Sequence, residues 1–217
     1  MKAEPVCPRC GGALVAPGLW SSAWECHVHG PVPPLQPVAW PGPGVLDVLR
    51  AATTTPLWMP WPLPTGWLVT GYAHAGDDRT GAVATVVACS GPAPLGGGAD
   101  LLLVAESPGV GLGARLAGLP GPDPGAGFDA GPAHAKLDAA GHPTPMWNID
   151  AGPDLAVYVG EAKAAWIWAL LWPAAAGVLL LENLGLRDLV ERTDGLGDIP
   201  YGALTPRLAN LKPPGRR

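Results

Sequence analysis

Four residues near the N-terminus have the types and the spacing of a metal site. Cys7 and Cys10 form a C-x2-C pair, and Cys26 and His29 form a C-x2-H pair after a gap of fifteen residues. Thiolate and imidazole are the ligands that Zn²⁺ favours, and four of them complete a tetrahedron with no open position for substrate. The spacing therefore predicts a structural zinc ribbon with the ligands Cys7, Cys10, Cys26 and His29.

The residues around these pairs agree with metal-binding turns. In such a turn the backbone N–H groups point back at the sulfurs and offset the charge of the thiolates. The turn needs residues that tolerate positive φ, and Gly11 and Gly30 each follow a ligand. His27 is an alternative ligand, but His29 has the spacing from Cys26 that this kind of turn requires, so His29 is preferred.

The rest of the N-terminal segment has too few apolar residues for an independent core. Leu14–Val15 and residues 19–24 are expected to form two short strands, and metal binding is expected to contribute roughly 10 kcal/mol to their folding. The competing interpretation is a disulfide between two of the cysteines. No apolar signal segment follows the first four residues, so a reducing, cytoplasmic location is expected and zinc is preferred over a disulfide.

Composition excludes some classes of protein. The chain has 217 residues, with 31 Gly, 28 Pro and ten Trp, and 48% of its residues are hydrophobic. So many turn-forming residues together with so much apolar surface predict short strands joined by tight turns rather than disorder. Only 14% of the residues are charged and the net charge is −5. Without a basic face, nucleic-acid binding by the main domain is disfavoured.

The order of these patterns predicts an α+β protein with a small zinc ribbon before a larger domain. The ribbon is assigned to residues 1–34, and a stiff Pro/Gly-rich linker to residues 35–44. A mainly antiparallel β-sheet domain with one or two short helices is assigned to residues 45–210. Residues 211–217 are expected to form a loose tail.

Hydrophobic periodicity places the elements of the larger domain. A helix is predicted over 45–52 and a second one over 186–190, ending near residue 195. The glycine-rich stretches 91–98 and 109–115 are predicted to be turns, because neither matches a phosphate-binding motif. Residues 118–133 are predicted to be a long surface loop and have the composition most typical of disorder. Strands are predicted over 67–75, 82–90, 101–106, 135–139, 145–149 and 155–160.

Two apolar segments have alternative interpretations. Residues 164–181 carry no charge over eighteen positions, which is the threshold for a membrane span. Pro173 and Gly177 interrupt them, and tryptophans alternate with aliphatic residues from Trp166 to Trp172, so a buried β-hairpin is preferred. Residues 56–67 alternate proline with large side chains. An irregular segment whose tryptophans fill the core is preferred there over an exposed polyproline surface.

Titratable residues that could form an active site are scattered along the chain. Cys89 lies in an apolar run and is expected to be a buried core residue. Because clustered titratable groups are few, the preferred function is a non-catalytic module that binds a protein partner or a small ligand. The alternatives are a membrane-associated protein and an enzyme whose cleft gathers His74, Asp77, Asp78, Glu106, Arg115 and Glu161.

Several motifs along the chain resemble those of an uncharacterised family from actinomycete bacteria. They begin with C-P-x-C-G and C-x-V-H-G and continue with Pro60–Pro64, Gly76–Arg79, Ser90–Gly96, Gly109–Arg115, Gly160–Ala162, Trp166–Trp168 and Leu171–Pro173. The resemblance covers nearly the whole chain. It implies a cytosolic protein with the zinc ligands given above. Some family members carry the name phosphotransacetylase, but the serine, arginine and aspartate constellation suited to acyl phosphate is not found in this sequence.

Overall fold

The computed structural model describes residues 4–19, 21–181, 184–192, 194–209 and 211. The N-terminal segment forms a small antiparallel sheet from β1 (Leu14–Val15), β2 (Glu25–Cys26) and β3 (Gly30–Pro31). The strand expected at 14–15 is therefore confirmed. The strand expected at 19–24 is wrong within the described residues, because the chain there forms bends and pairs only from Glu25 onward, in register with Val15.

A curled mixed sheet organises the rest of the described residues. Its strands are β4 (Trp58–Pro60), β5 (Leu68–Asp77), β6 (Gly81–Pro92), β7 (Gly98–Glu106), β8 (Ala135–Ala139), β9 (His142–Asp150), β10 (Ala156–Ala162), β11 (Ala165–Trp172) and β12 (Gly185–Asp188). Their spatial order is β4-β12-β8-β9-β10-β11-β7-β6-β5. Every neighbouring pair is antiparallel except β12 and β8, so the predicted fold class is confirmed.

Short helices pack on both faces of this sheet. The predicted first helix is confirmed as α1 (Pro43–Ala52), whose buried residues Leu46 and Leu49 face the sheet. The others are α2 (Leu112–Leu116), α3 (Pro206–Ala209) and 3₁₀ helices over Ala174–Leu181 and Leu196–Asp198. None of the helices in the described part of the chain has the length and apolarity to span a bilayer.

Two hydrophobic clusters lie on opposite faces of the sheet. The inner face carries Trp58 of β4 together with residues of β6 and β7, because the sheet curls until its first strand contacts them. The outer face packs against α2, α3 and the ribbon, which contributes Val6. Leu35, in the predicted linker, is 1% exposed and forms isolated β-bridges with both Val6 and Ala75. The domain boundaries at residues 34 and 44 stay a prediction.

Edge strand β5 is covered along its length. Near its start, the N–H of Gly202 donates to the carbonyl of Val69 at 2.9 Å; near its end, the N–H of Gln36 donates to the carbonyl of His74 at 2.9 Å. An uncovered edge offers unpaired backbone groups to other chains. The segments around residues 34–39 and 200–205 therefore complete the sheet on this side.

The predicted hairpin over 164–181 is half right. β11 confirms the strand, but residues 178–181 belong to a 3₁₀ helix. β11 already pairs with β10 on one side and with β7 on the other, so no edge is left for a returning strand. Gly177 also lets the 3₁₀ helix pack closely on β10, because a Cβ at position 177 would lie 3.1 Å from the Cβ of Ala156.

The helix predicted over 186–190 is wrong. Residues 185–188 form β12, in which Leu186 and Asp188 are buried and alternate with half-buried neighbours. Burial at every second residue is the period of a strand. Because the second buried residue, Asp188, carries a carboxylate, the pattern of apolar residues alone does not reveal this strand. The tail predicted at 211–217 lies outside the described residues except for Leu211.

The turn predicted over 109–115 is also wrong in its second half, where α2 begins. The fully buried carboxylate of Glu106 accepts hydrogen bonds from the backbone N–H groups of Leu112 (2.7 Å) and Gly113 (3.1 Å). These are N–H groups that a helix start leaves without an internal partner. Gly113 is required there, since a Cβ would lie 2.4 Å from the indole nitrogen of Trp168.

The loop over 118–133 contains no helix or strand, as predicted, and it is anchored to the sheet. Phe128 packs edge-on against both Trp147 and Trp166, with ring centroids 5.9 and 5.6 Å away. The indole N–H of Trp166 donates to Asp123 at 2.9 Å, and that of Trp147 donates to the carbonyl of Gly131 at 2.8 Å. These contacts, rather than secondary structure, order the segment.

The proline-rich segment over 56–67 fills the core, as preferred, but the expectation that it is irregular is wrong at residues 58–60, which form a strand. Trp58 is 1% exposed, and Trp61 packs against the same cluster. Residues Trp58–Pro60 form β4 at the edge of the sheet, where a proline can be accommodated because no partner strand needs its missing N–H.

Candidate metal centre

The donor atoms of Cys7, Cys10, Cys26 and His29 converge on one point. All four lie within 4.8 Å of one another. The Nδ1 atom of His29 is 3.6 Å from the sulfur of Cys7 and 3.6 Å from that of Cys26. The sulfurs of Cys10 and Cys26 are 3.7 Å apart, and none of these cysteines forms a disulfide. The group could therefore bind a metal ion.

These separations can be compared with a metal-centred tetrahedron. Bonds of about 2.3 Å to sulfur and about 2.0 Å to nitrogen give edges of about 3.8 Å between sulfurs and about 3.6 Å between sulfur and nitrogen. The observed 3.7 Å and 3.6 Å separations match both edges. The donor set thus fits a four-coordinate ion. The alternative ligand, His27, is exposed and is not part of the cluster.

The environment of the sulfurs differs within the cluster. Burial raises the pKa of Cys7 to about 11, although N–H groups of its own turn oppose the shift. Burial acts in the same direction on Cys26, but hydrogen bonds from the backbone N–H groups of Val28 and His29 outweigh it and lower its pKa to about 6. A bound cation favours thiolate at both positions. The backbone donors at Cys26 are those that the predicted turn requires.

The turn that carries Cys7 and Cys10 contacts α2, which packs on the larger sheet. Gly11 has φ of 72°, and a Cβ at this position would lie 2.5 Å from Nη2 of Arg115. The guanidinium of Arg115 donates to the carbonyl of Cys7 at 3.2 Å. Gly11 is therefore needed both for its backbone conformation and for the close approach of the arginine.

A second arginine makes the reciprocal contact. Arg9, between the two cysteines of the first turn, donates to the carbonyl of Val110 at 3.2 Å and to that of Gly109. Arg9 and Arg115 are more than a hundred positions apart in the sequence, so no local pattern predicts the pair. The turn between Cys7 and Cys10 is consequently part of the contact between the ribbon and the larger domain.

The second ribbon contact involves the loop between the two ligand pairs. The indole N–H of Trp24 donates to Asp77 Oδ2 at 3.2 Å, and Nη1 of Arg79 donates to the carbonyl of Ser22 at 2.6 Å. Both partners lie at the turn between β5 and β6. The sequence placed Asp77 and Arg79 in that turn correctly but gave no signal for their ribbon partners.

The titratable residues proposed for an active site are only partly brought together. His74, Asp77 and Asp78 line one cavity of about 460 Å³. Burial lowers the pKa of His74, which favours the neutral imidazole. The other candidates have separate environments: Glu106 is buried beneath α2, Arg115 contacts the ribbon and Glu161 is exposed on β10.

Cys89 has the environment of a core residue, as predicted. It is fully buried on β6, opposite Val69, and burial raises its pKa to about 12. His74 lies opposite Thr85 instead. A thiol needs a base or a cation beside it to become a nucleophile, and the register gives Cys89 an apolar partner.

The buried carboxylate of Glu106 makes stability depend on pH. Burial raises its pKa from 4.5 to about 7, although the hydrogen bonds from Leu112 and Gly113 oppose the shift. The folded state therefore favours the protonated acid. Its contribution is fully present below about pH 4.5 and is lost as the pH rises through about 7, which amounts to about 3 kcal/mol.

Glu106→Gln removes the titration and is expected to flatten the decline in unfolding free energy between pH 5 and pH 8. Urea denaturation of wild type and variant across this range measures the difference. Glu161→Gln, at an exposed position two strands away, serves as the control and should follow wild type. Parallel pH profiles for wild type and Glu106→Gln would show that this carboxyl is ionised throughout.

A comparison with protein families gives one match. The model of a family of unknown function, DUF6758, matches residues 1–208. Searches of curated proteins and of solved structures return no match. The match includes the four clustered donor residues and the whole nine-stranded sheet.

Proposed function

The chain belongs to DUF6758, a family of unknown function, and from its own geometry we propose that it is a zinc-dependent binding protein. In this proposal Cys7, Cys10, Cys26 and His29 hold one Zn²⁺ structurally. The larger sheet, with the ribbon docked on it, binds a protein partner or a small ligand without catalysing a reaction. A cytoplasmic location and an actinomycete source stay expectations from the sequence.

The agreement of the donor separations with a zinc tetrahedron carries this proposal. Four protein ligands close the coordination shell, whereas catalytic zinc sites keep a position for water or substrate. Three sulfurs and one imidazole also suit Zn²⁺ better than the oxygen-preferring ions Mg²⁺ and Ca²⁺. The ion would hold the ribbon in place, and the chemistry of any ligand would depend on other residues.

The enzyme alternative has one supporting observation, the cavity shared by His74, Asp77 and Asp78. Asp77, however, already accepts hydrogen bonds from the N–H groups of Arg79 and Thr80, from the Thr80 hydroxyl and from the Trp24 indole. A carboxylate so fully engaged is a turn-stabilising group. The phosphotransacetylase name in the resembling family has no support from these residues.

Removal of zinc tests the structural role. Zinc chelation is expected to make the segment between the two ligand pairs sensitive to protease, because roughly 10 kcal/mol or more of metal-binding free energy supports so small a module. Near-ultraviolet circular dichroism of the tryptophan side chains is measured on the same samples to report on the sheet. Zn²⁺ is then added to the same samples to measure whether protease resistance is restored. Unchanged protease resistance in metal-free protein would contradict a structural zinc.

A further inference from the structure

A cavity between the ribbon and the large sheet has the dimensions of a small-molecule site. It measures about 560 Å³, within the usual range of about 300–1,000 Å³ for such sites. Ribbon residues 22–24 and 31–34 form one wall, and residues 107–110 with the β5–β6 turn and Val83 form the other. This cavity, called the ribbon cleft below, exists only where the two parts meet.

From its lining we infer that the ribbon cleft binds a small apolar molecule that carries one anionic group. The inference extends the proposed function, since it needs the metal-held ribbon as one wall. Val32 and the rings of Pro31 and Pro33 on one side face Val83 and Val110 on the other. Apolar surfaces of this kind favour a hydrophobic ligand, because its burial removes apolar area from water.

Trp24 supplies a fixed aromatic surface in the cleft. Its indole N–H donates to Asp77 Oδ2 at 3.2 Å, which sets the orientation of the ring. Trp24 and Asp77 also line the neighbouring cavity that contains His74, so their contact separates the two spaces. A ring held in position before binding loses little freedom when a ligand packs on it.

Arg79 supplies the charge. Its Nη1 donates to the carbonyl of Ser22 at 2.6 Å, which holds the side chain against the cleft. Among the described residues no carboxylate forms an ion pair with its guanidinium. The nearby Asp77 instead accepts from the Trp24 indole and from backbone and hydroxyl donors. A guanidinium has five donors, so several of them can face an anionic ligand group.

Two probes with the same rings test the ligand class. The sulfonate 8-anilinonaphthalene-1-sulfonate is compared with the neutral N-phenyl-1-naphthylamine by fluorescence titration of zinc-loaded full-length protein. Saturable binding of the sulfonate at one site per chain is expected. Arg79→Gln should weaken it about tenfold or more, the effect of losing one charge-assisted hydrogen bond, and should leave the neutral probe unchanged.

Matched variants keep the test specific. Arg187→Gln, at a half-exposed arginine on β12 outside the cleft, should leave both titrations at wild-type values. Val83→Phe should weaken binding of both probes, because the larger ring projects from the cleft wall and reduces the space for them. If circular dichroism shows that Val83→Phe is misfolded, Ala23→Phe tests the same effect from the ribbon wall.

The outcomes separate this inference from the proposed function. Zinc content is measured on every sample, so metal-free protein would count against the proposed function itself. Zinc-loaded protein that binds neither probe, that binds the sulfonate without saturation, or that responds equally to Arg79→Gln and Arg187→Gln would overturn the ribbon cleft as an anion site.

Discussion

Cys7→Ala is expected to eliminate metal binding and to unfold the ribbon while the large sheet stays folded. Cys7 is fully buried, and its sulfur lies 3.6 Å from His29 Nδ1. Without it the remaining donors can no longer close a four-coordinate shell, and most of the roughly 10 kcal/mol of metal-binding free energy is lost. Elemental analysis of the purified variant, with protease digestion, measures both effects.

Two matched substitutions distinguish metal ligands from similar side chains. Cys89→Ala removes the buried thiol outside the cluster and should retain the full metal content, with a stability loss of about 1 kcal/mol from the small cavity. His29→Ala should lose the metal, whereas His27→Ala at the exposed neighbouring histidine should keep it. Equal metal content in the two histidine variants would show that the imidazole ligand is wrongly assigned.

Asp188→Ala is expected to reduce the unfolding free energy by about 3–5 kcal/mol, because it leaves two backbone N–H groups without their acceptor and takes the buried partner from Lys163. Oδ1 of Asp188 accepts from the N–H groups of Leu57 and Val190, each at 3.0 Å, and Oδ2 accepts from Lys163 at 2.8 Å. The carboxylate, 5% exposed, thus connects β4, β12 and the β10–β11 turn. Urea denaturation gives the change.

The neighbouring residues provide graded controls for Asp188. Burial by itself disfavours the charge on Lys163, yet its hydrogen bonds to Asp188 and Glu191 hold its pKa above the usual value. Asp188→Asn keeps an acceptor for the two N–H groups and should cost about 1–2 kcal/mol. Glu191→Ala removes only an exposed partner and should cost under about 1 kcal/mol. Similar losses for Asp188→Ala and Glu191→Ala would contradict the network.

Local patterns predicted the strands of the large sheet other than β4 and β12. The alternation from Trp166 to Trp172 identified β11, and the turn composition at 76–81 identified the β5–β6 hairpin, because both signals come from adjacent residues. The turn after β10 was harder to assign. Lys163 and Ala164 both have positive φ, 53° and 57°, at positions where glycine or asparagine is usual.

Packing in the folded chain explains the elements that the sequence did not reveal. α2 begins where it does because Glu106, six residues earlier and buried in the core, accepts its first N–H groups. β12 has a carboxylate, Asp188, in place of a second apolar residue. The segment 178–181 is helical because the strand before it has both edges occupied. The first two causes depend on a carboxylate being buried and the third on the strands paired with β11, so apolar periodicity reveals none of them.

The difference between local sequence patterns and contacts made only in the folded chain also applies to the candidate site. The grouping of Cys7, Cys10, Cys26 and His29 followed from spacing, since each pair is local and ligand chemistry joins the pairs. The ribbon cleft could not be predicted from spacing, because the contacts that bring Trp24 and Arg79 to it join residues more than fifty positions apart in the sequence.

X-ray absorption at the zinc edge tests the central assignment most directly. Purified full-length protein should contain one zinc per chain, with three sulfurs at about 2.3 Å and one nitrogen at about 2.0 Å. A metal-free protein, or a coordination shell with oxygen ligands in place of these sulfurs, would contradict the structural zinc and the proposal that the ribbon depends on it.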